Sequence, residues 1–410
     1  MKRSLQTVQG GTRLIFDSIE GITTMVERMH ETIARHPLPW SPQPEQPTRA
    51  HGLIASAVYA SIRGVNGAMR AGVDRSLSLV PVGSGETHRS AGETRMVAAL
   101  NGAFGDHLES SGNALAISMG LTTPLSTLPL DAQAIAAALP QASSRIVVLV
   151  HGLSMSELSW QRKNTPCIGS QLQSELGHTP LYLRYNTGRH ISTNGREFAA
   201  MLEQLCAAWP VPVESLTLIG HSMGGLVIRS ACWYAQQSQS DWLQQLAQVV
   251  CLGTPHHGSP LERAGHALDL AMQKIAYVEP LALGRRRSVG IKDLRHGNLL
   301  DEDWQGHHPD RPRPDSRKVV PLLPGVEYYF AAATLGRDRQ DPVGHLLGDL
   351  LVRLDSATGS HSDDLRRLHI KPENCRVFHE KNHFDLLDDA RVQEQVVQWL
   401  GTSHEGAAPL

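Results

Sequence analysis

Aromatic residues are scarce in this chain of 410 residues: phenylalanine, tyrosine and tryptophan together make up 5%. That argues against the stacked aromatic platforms on which single-stranded nucleic acid is held. Excess charge of either sign is missing too. Lysine and arginine number 38 against 40 aspartates and glutamates, a formal net charge of −2, so no electrostatic footprint for nucleic acid is present. The one tight basic run, Arg285-Arg286-Arg287, is short and reads as a solvated loop. The five cysteines (Cys167, Cys206, Cys232, Cys251 and Cys375) lie far apart with no C-x-x-C pair. This odd, scattered set fits a reducing compartment, with Cys251 and Cys375 as small core residues in apolar, strand-like surroundings. No window approaches the ~20 apolar residues of a membrane span, and no apolar segment follows the basic Met1-Lys2-Arg3 to make a secretory signal. A soluble, cytoplasmic protein is expected.

What is present changes character near residue 144. Upstream, the pattern is helical and irregular. Leu14, Ile15, Ile19, Ile22, Met25, Val26 and Met29 recur at helical spacing over residues 12–34. Five prolines between 37 and 47 then make a connector. A second helix is expected over 52–71, a third over 91–108 and a short alanine-rich one over 131–139. Their apolar faces read as core-facing stripes; the alternative is a face for a membrane surface or for self-association. From Arg145 onward, strands and helices alternate. Strands are expected at 146–150, 181–184, 216–219, 247–252, 327–332 and 376–379, with helices at 196–208 and 388–400 between and after them. The continuous apolar run Ile146-Val147-Val148-Leu149-Val150 suits a strand buried on both faces. Such alternation implies an α/β fold, a mainly parallel sheet with helices on both faces. The expected organisation is a helical region over 1–144, a catalytic domain over 145–400 and a tail over 401–410. Residues 259–324 read as a cap-like insertion, because the alternation lapses there; a plain surface loop is the competing reading.

One pentapeptide names a reaction. Gly220-His221-Ser222-Met223-Gly224 is a G-x-S-x-G pattern. It follows the β-rich run Ser215-Leu216-Thr217-Leu218-Ile219 and precedes the apolar Gly225-Leu226-Val227-Ile228, which can continue as a helix. Strand, sharp turn and helix are what a nucleophile elbow requires, with Ser222 at the turn. The segment His151-Gly152-Leu153 follows a buried strand, so its backbone N–H groups can face the space above the sheet. Leu153 N–H and Met223 N–H are the expected oxyanion donors. The general base should lie C-terminal to the serine. His383, in Asn382-His383-Phe384-Asp385-Leu386-Leu387 between the last strand and the last helix, fits that place better than His379 or His361. For the acid, Asp349 is preferred, with Asp355 and Asp341 as neighbouring rivals. His151, Gly152, His221, Tyr185 and His256 complete the candidate set as substrate-binding residues. His256 and His257 are adjacent and point in different directions, so no metal site is expected.

Taken in order, Val148-Leu149-Val150-His151-Gly152-Leu153, Leu183-Arg184-Tyr185-Asn186-Thr187-Gly188, Gly220-His221-Ser222-Met223-Gly224-Gly225 and Leu252-Gly253-Thr254-Pro255-His256-His257-Gly258 resemble the α/β-hydrolase superfamily. Within it the chain resembles the bacterial lipase and esterase group related to GPI inositol-deacylases. Asn382-His383-Phe384-Asp385-Leu386-Leu387 resembles that group's catalytic-histidine segment. Gly348-Asp349-Leu350-Leu351-Val352 resembles its acid segment, with Leu350 where glycine is usual. The resemblance covers residues 145–400. It implies a serine ester hydrolase of carboxylesterase or lipase type, acting on an ester or lipid through an acyl-enzyme and without a cofactor. A thioesterase, amidase or acyltransferase using the same residues is the alternative, as is a non-catalytic binding protein that keeps the fold.

Overall fold

The computed structural model describes residues 90–124, 126–161, 167–259, 287–307, 315–338, 349 and 351–402, together with short stretches between 9 and 75. Most of the stripe expected over 12–34, the connector at 37–47, much of the helix at 52–71 and of the insertion, the rival acid Asp341 and most of the C-terminal tail lie outside the described residues; Leu14 of the stripe is described, in helix and buried. The chain forms two compact units. One takes in Met1–Gly92, Leu108–Ala116 and Tyr277–Arg286; the other takes in Glu93–His107, Ile117–Ala276 and Arg287–Leu410. In the first, distant stretches are tied by side chains. Asn113 donates to the Gly10 carbonyl at 3.1 Å and Asn66 to the Phe16 carbonyl at 2.9 Å.

The second unit is built on one eight-stranded sheet. In chain order the elements are helix α1 (Ala91–Ser110, of which Glu93–His107 belongs to this unit), β1 (Gly120–Thr122), β2 (Thr127–Leu128), α2 (Ala132–Ala138), β3 (Arg145–Val150), α3 (Ile168–Leu176), β4 (Thr179–Arg184), α4 (Ile191–Ala208), β5 (Ser215–His221), α5 (Met223–Ser238), β6 (Leu246–Leu252), α6 (Val289–His296), β7 (Glu327–Thr334), β8 (Cys375–His379) and α7 (Ala390–Thr402). The spatial order is β2-β1-β4-β3-β5-β6-β7-β8. From β4 to β8 every pairing is parallel; β1 pairs antiparallel with both β2 and β4. The sheet therefore begins upstream of residue 145, where the sequence suggests only helix and irregular chain. Strands of three and two residues are too short to show an alternating pattern.

Side chains along β3 divide between two cores, as the period of a strand demands. Ile146, Val148 and Val150 face a cluster with Phe198, Leu202 and Leu205 of α4 and Leu226 and Ile228 of α5. Val147 and Leu149 face the other side, with Ile168 and Leu172 of α3 and Val392, Val396 and Trp399 of α7. All five strand residues are fully buried, each contributing about 1.5–3 kcal/mol by leaving water. This double burial explains why the strand reads as an unbroken apolar run.

The strand order reverses at β3, whose neighbours are β4 on one side and β5 on the other. Ligands of open parallel sheets sit outside the carboxyl ends of the strands at such a reversal. Val150 and His221 end β3 and β5 there.

Candidate active site

Ser222 lies between the end of β5 and the first turn of α5, with φ 54° and ψ −123°. Backbone of this kind is costly for a residue with a side chain, on the order of 1–3 kcal/mol, and persists only where packing dictates it. Here packing does. The Ser222 N–H donates to the Leu252 carbonyl at 2.8 Å, pinning the turn to the end of β6. A methyl group on Gly224 would stand 2.2 Å from the Val150 carbonyl oxygen, and one on Gly220 2.5 Å from the Gly225 nitrogen. Both obstacles are backbone, which cannot swing aside, so the two flanking glycines let strand and helix close to this distance. Met223 is the first residue of α5, where an N–H has no intrahelical partner and the helix dipole places partial positive charge.

The loop after β3 faces this turn. A methyl on Gly152 would lie 3.0 Å from Ser222 Cβ. The loop is fastened from behind: the Tyr185 hydroxyl donates to the His151 carbonyl at 2.7 Å and its ring stacks on the His151 imidazole at 4.5 Å. The Thr187 hydroxyl accepts from the Ser154 N–H at 3.1 Å. Ser154 itself has φ 59°, so the loop turns sharply just after Leu153. Glu157, at the foot of the loop, accepts from Arg184 Nε at 3.0 Å and from its Nη2.

His383 follows β8 in a turn that its neighbours fold. Asn382 Oδ1 accepts from the N–H groups of Phe384 and Asp385, and Asp385 Oδ2 accepts from the Asn382 N–H at 2.8 Å. This reciprocal cap explains why asparagine and aspartate flank the histidine at that spacing. His383 Nδ1 is 2.7 Å from Asp349 Oδ2. The other carboxylate oxygen, Asp349 Oδ1, accepts from the N–H groups of Leu351 at 3.0 Å and Val352 at 2.7 Å. The His383 N–H also donates to the Asp349 carbonyl at 3.3 Å. Asp349 and His383 are each 1% exposed, so the pair is locked in a dry environment. With Nδ1–H given to the carboxylate, Nε2 is the basic nitrogen; it is buried and has no hydrogen-bond partner among the described residues. The imidazole lies against the same strand end as the serine. A methyl on Gly253 would stand 3.0 Å from His383 Cε1, one residue beyond the Leu252 carbonyl that holds Ser222. No hydrogen bond joins Ser222 Oγ to His383 Nε2 among the described residues.

Residues 141–307 match the family model described as the PGAP1-like alpha/beta domain. Among solved structures, the chain is similar to the mature lipase BlEst2 of Bacillus licheniformis, at 18% identity over 62% of this chain and 91% of that one, with a TM-score of 0.39. It is also similar to the Pyrococcus furiosus esterase Pf2001, at 14% identity over 65% and 83% with a TM-score of 0.35. Mouse alpha/beta hydrolase domain-containing protein 10 gives 12% identity over 64% and 91%, with a TM-score of 0.36. No curated protein sequence matches the chain.

The residues read as substrate-binding fall into three places. Gly152 faces Ser222. His151, Tyr185 and His221 are fully buried or nearly so and act as supports beneath the loop and turn. His221 Nε2, for example, lies 3.1 Å from the His383 carbonyl and holds that turn in place. His256 stacks on Phe330 at 4.3 Å and faces Arg229, away from the serine. Asp355, the rival acid, is exposed in the single turn Leu354–Ala357. His379 lies 3.3 Å from the Gly336 carbonyl, and His361 pairs with Asp315 at 3.9 Å.

A support that the sequence reading missed comes from α1. A methyl on Gly102 would strike Ser154 Oγ at 2.0 Å and one on Gly105 would strike Asn186 Oδ1 at 1.8 Å. Asn186 in turn donates to the Gly105 carbonyl at 2.9 Å. The two glycines flank a break in the helix at Phe104, with φ −138° and ψ 18°, so no regular helical spacing marked them in the sequence.

Burial pushes the His151 imidazole down to about 4, against a smaller opposing pull from its contact with the Gly152 carbonyl. Burial also holds His256 well below the usual histidine range. An imidazole whose folded pKa lies below its unfolded value leaves stability intact above about pH 6.5 and removes it as pH falls toward 4. From His151 alone the loss should reach about 2 kcal/mol by pH 5. Urea midpoints at pH 7.5 and 5 should show it, and His151→Asn should shrink the difference. Equal pH dependence in the variant would contradict this role for His151.

Proposed function

We propose that this protein is a serine hydrolase of carboxylic esters, of esterase or lipase type. The observation that carries the reading is the strained Ser222 turn beside a buried His383–Asp349 pair whose Nε2 is left without a partner. Asp349, held by two backbone N–H groups, orients the imidazole and stabilises it when it becomes charged. His383 Nε2 takes the proton from Ser222 Oγ as that oxygen attacks the ester carbonyl. In the free protein such a contact is commonly long and tightens when substrate binds. The oxyanion formed in the attack is held by the N–H groups of Leu153 and Met223, each worth about 3 kcal/mol in the transition state. The same histidine then gives its proton to the leaving alcohol. Water activated by Nε2 releases the acid and restores Ser222. Ester or lipid is the proposed substrate class. The test is turnover of short p-nitrophenyl esters by the wild-type protein, with Ser222→Ala as the control that should lose it.

A further inference from the structure

A cavity of about 450 Å³ opens beside α5 and the loops that follow β6 and α6, and neither Ser222 nor His383 lines it. Arg229 and His256 stand in its wall together with Arg317, Lys318, Arg367 and His369. Three of these side chains already have carboxylate partners: Arg317 with Asp315, Lys318 with Glu302, and Arg367 with Asp364. Of the two lining carboxylates, Asp303 accepts from the backbone N–H groups of Leu299, Leu300 and Lys318, and Asp364 faces Arg367. Arg229 is different. It is 6% exposed, and among the described residues no carboxylate faces it. Its Nη2 donates to the Val320 carbonyl at 2.7 Å, and its Nη1 lies 3.4 Å from His256 Nδ1.

That last contact fixes the histidine's tautomer. A guanidinium can only donate, so Nδ1 must accept and the proton of the neutral ring sits on Nε2. Burial and the facing Arg229 charge both keep the ring neutral. Arg229, though lowered to about 10 by burial, stays charged at neutral pH. Among the described residues two buried N–H groups are thus left without acceptors, Arg229 Nε and His256 Nε2. Both are donors, and no described carboxylate compensates the charge of Arg229. A buried donor without an acceptor is costly and asks for a ligand oxygen. The wall also carries His257 and Arg366, the latter paired with Asp315, and an apolar part formed by Leu322 and the exposed Val319 and Leu365.

We infer that this cavity is a second binding site, for a phosphate-class oxyanion carrying an apolar group, with Arg229 and His256 as the donors. Arg229 lies seven residues after Ser222, two turns along α5, so the site sits roughly 10 Å from the serine along the helix. It is a site of its own and does not depend on hydrolysis at Ser222.

Isothermal titration of the full chain with inorganic phosphate, against chloride at equal ionic strength, tests it. Saturable binding at one site is expected in the wild type and equally in Ser222→Ala. Loss of a buried charge-assisted contact predicts binding weakened by about tenfold or more in Arg229→Met. No saturable binding in the wild type, or undiminished binding in folded Arg229→Met, would overturn the inference. If circular dichroism shows that Arg229→Met does not fold, the double variant Arg367→Gln/His369→Gln replaces it. That variant should weaken phosphate severalfold, and unchanged affinity would overturn the site. Monomeric dihexanoyl phosphatidic acid separates the sources of the anion. Tighter binding than inorganic phosphate assigns the site to a lipid headgroup, and equal binding assigns it to a free phosphate. Because Ser222→Ala retains the site, failure here and failure of the proposed ester chemistry are told apart.

Discussion

Ser222→Ala should lower kcat/KM toward short p-nitrophenyl esters by about 10⁴–10⁶-fold, the cost of removing the nucleophile when the oxyanion donors and binding surface remain. The fold should be untouched. Ser222 is buried, and it holds its place through its N–H, which alanine keeps. Alanine at φ 54° is as strained as serine, so the melting temperature of the alanine variant should match that of the wild type. Glycine relieves the strain, and Ser222→Gly should be inactive yet more stable by about 1–2 kcal/mol. Initial rates and calorimetry on the same preparations separate the two effects. A folded Ser222→Ala protein that keeps its rate would remove the serine from the mechanism.

Asp349→Asn should reduce kcat by about 10⁴-fold, while Asp355→Asn changes nothing measurable. The reason lies in what holds the carboxylate. Oδ1 of Asp349 accepts two backbone N–H groups, so an asparagine there must place its oxygen on that side. Its NH₂ then faces His383 Nδ1, at the 2.7 Å position of the lost carboxylate oxygen. A donor facing Nδ1 forces the ring proton onto Nε2, the atom that has to accept from the serine. Asp355 is exposed in its own turn and touches no catalytic candidate. If Asp355→Asn is the damaging change, the acid has been misassigned.

The elbow was legible because close backbone approach leaves a chemical trace. Only glycine fits where Gly224 meets the Val150 carbonyl, so the pattern appears in the sequence itself. The parallel core was legible because strands buried on both faces have no polar side to break the run. The choice between Asp349 and Asp355 was open in sequence, since the two lie only a few residues apart after the same strand. In the structure it is Asp349 that lies 2.7 Å from His383 Nδ1, which is the ground for proposing it as the acid. The supporting role of Tyr185 and His221 was hidden for another reason. A buried polar side chain tied to a backbone carbonyl has the same composition as one that greets a substrate. Arg229 gave no signal at all. Its position in α5 is that of an ordinary helical arginine, and only its burial without a carboxylate sets it apart.

Covalent capture tests the central claim most directly. A fluorophosphonate probe should add once to the wild-type chain, peptide mapping should place the adduct on Ser222, and Ser222→Ala should take up none. Absence of an adduct in folded wild-type protein, or an adduct that persists in Ser222→Ala, would contradict the account.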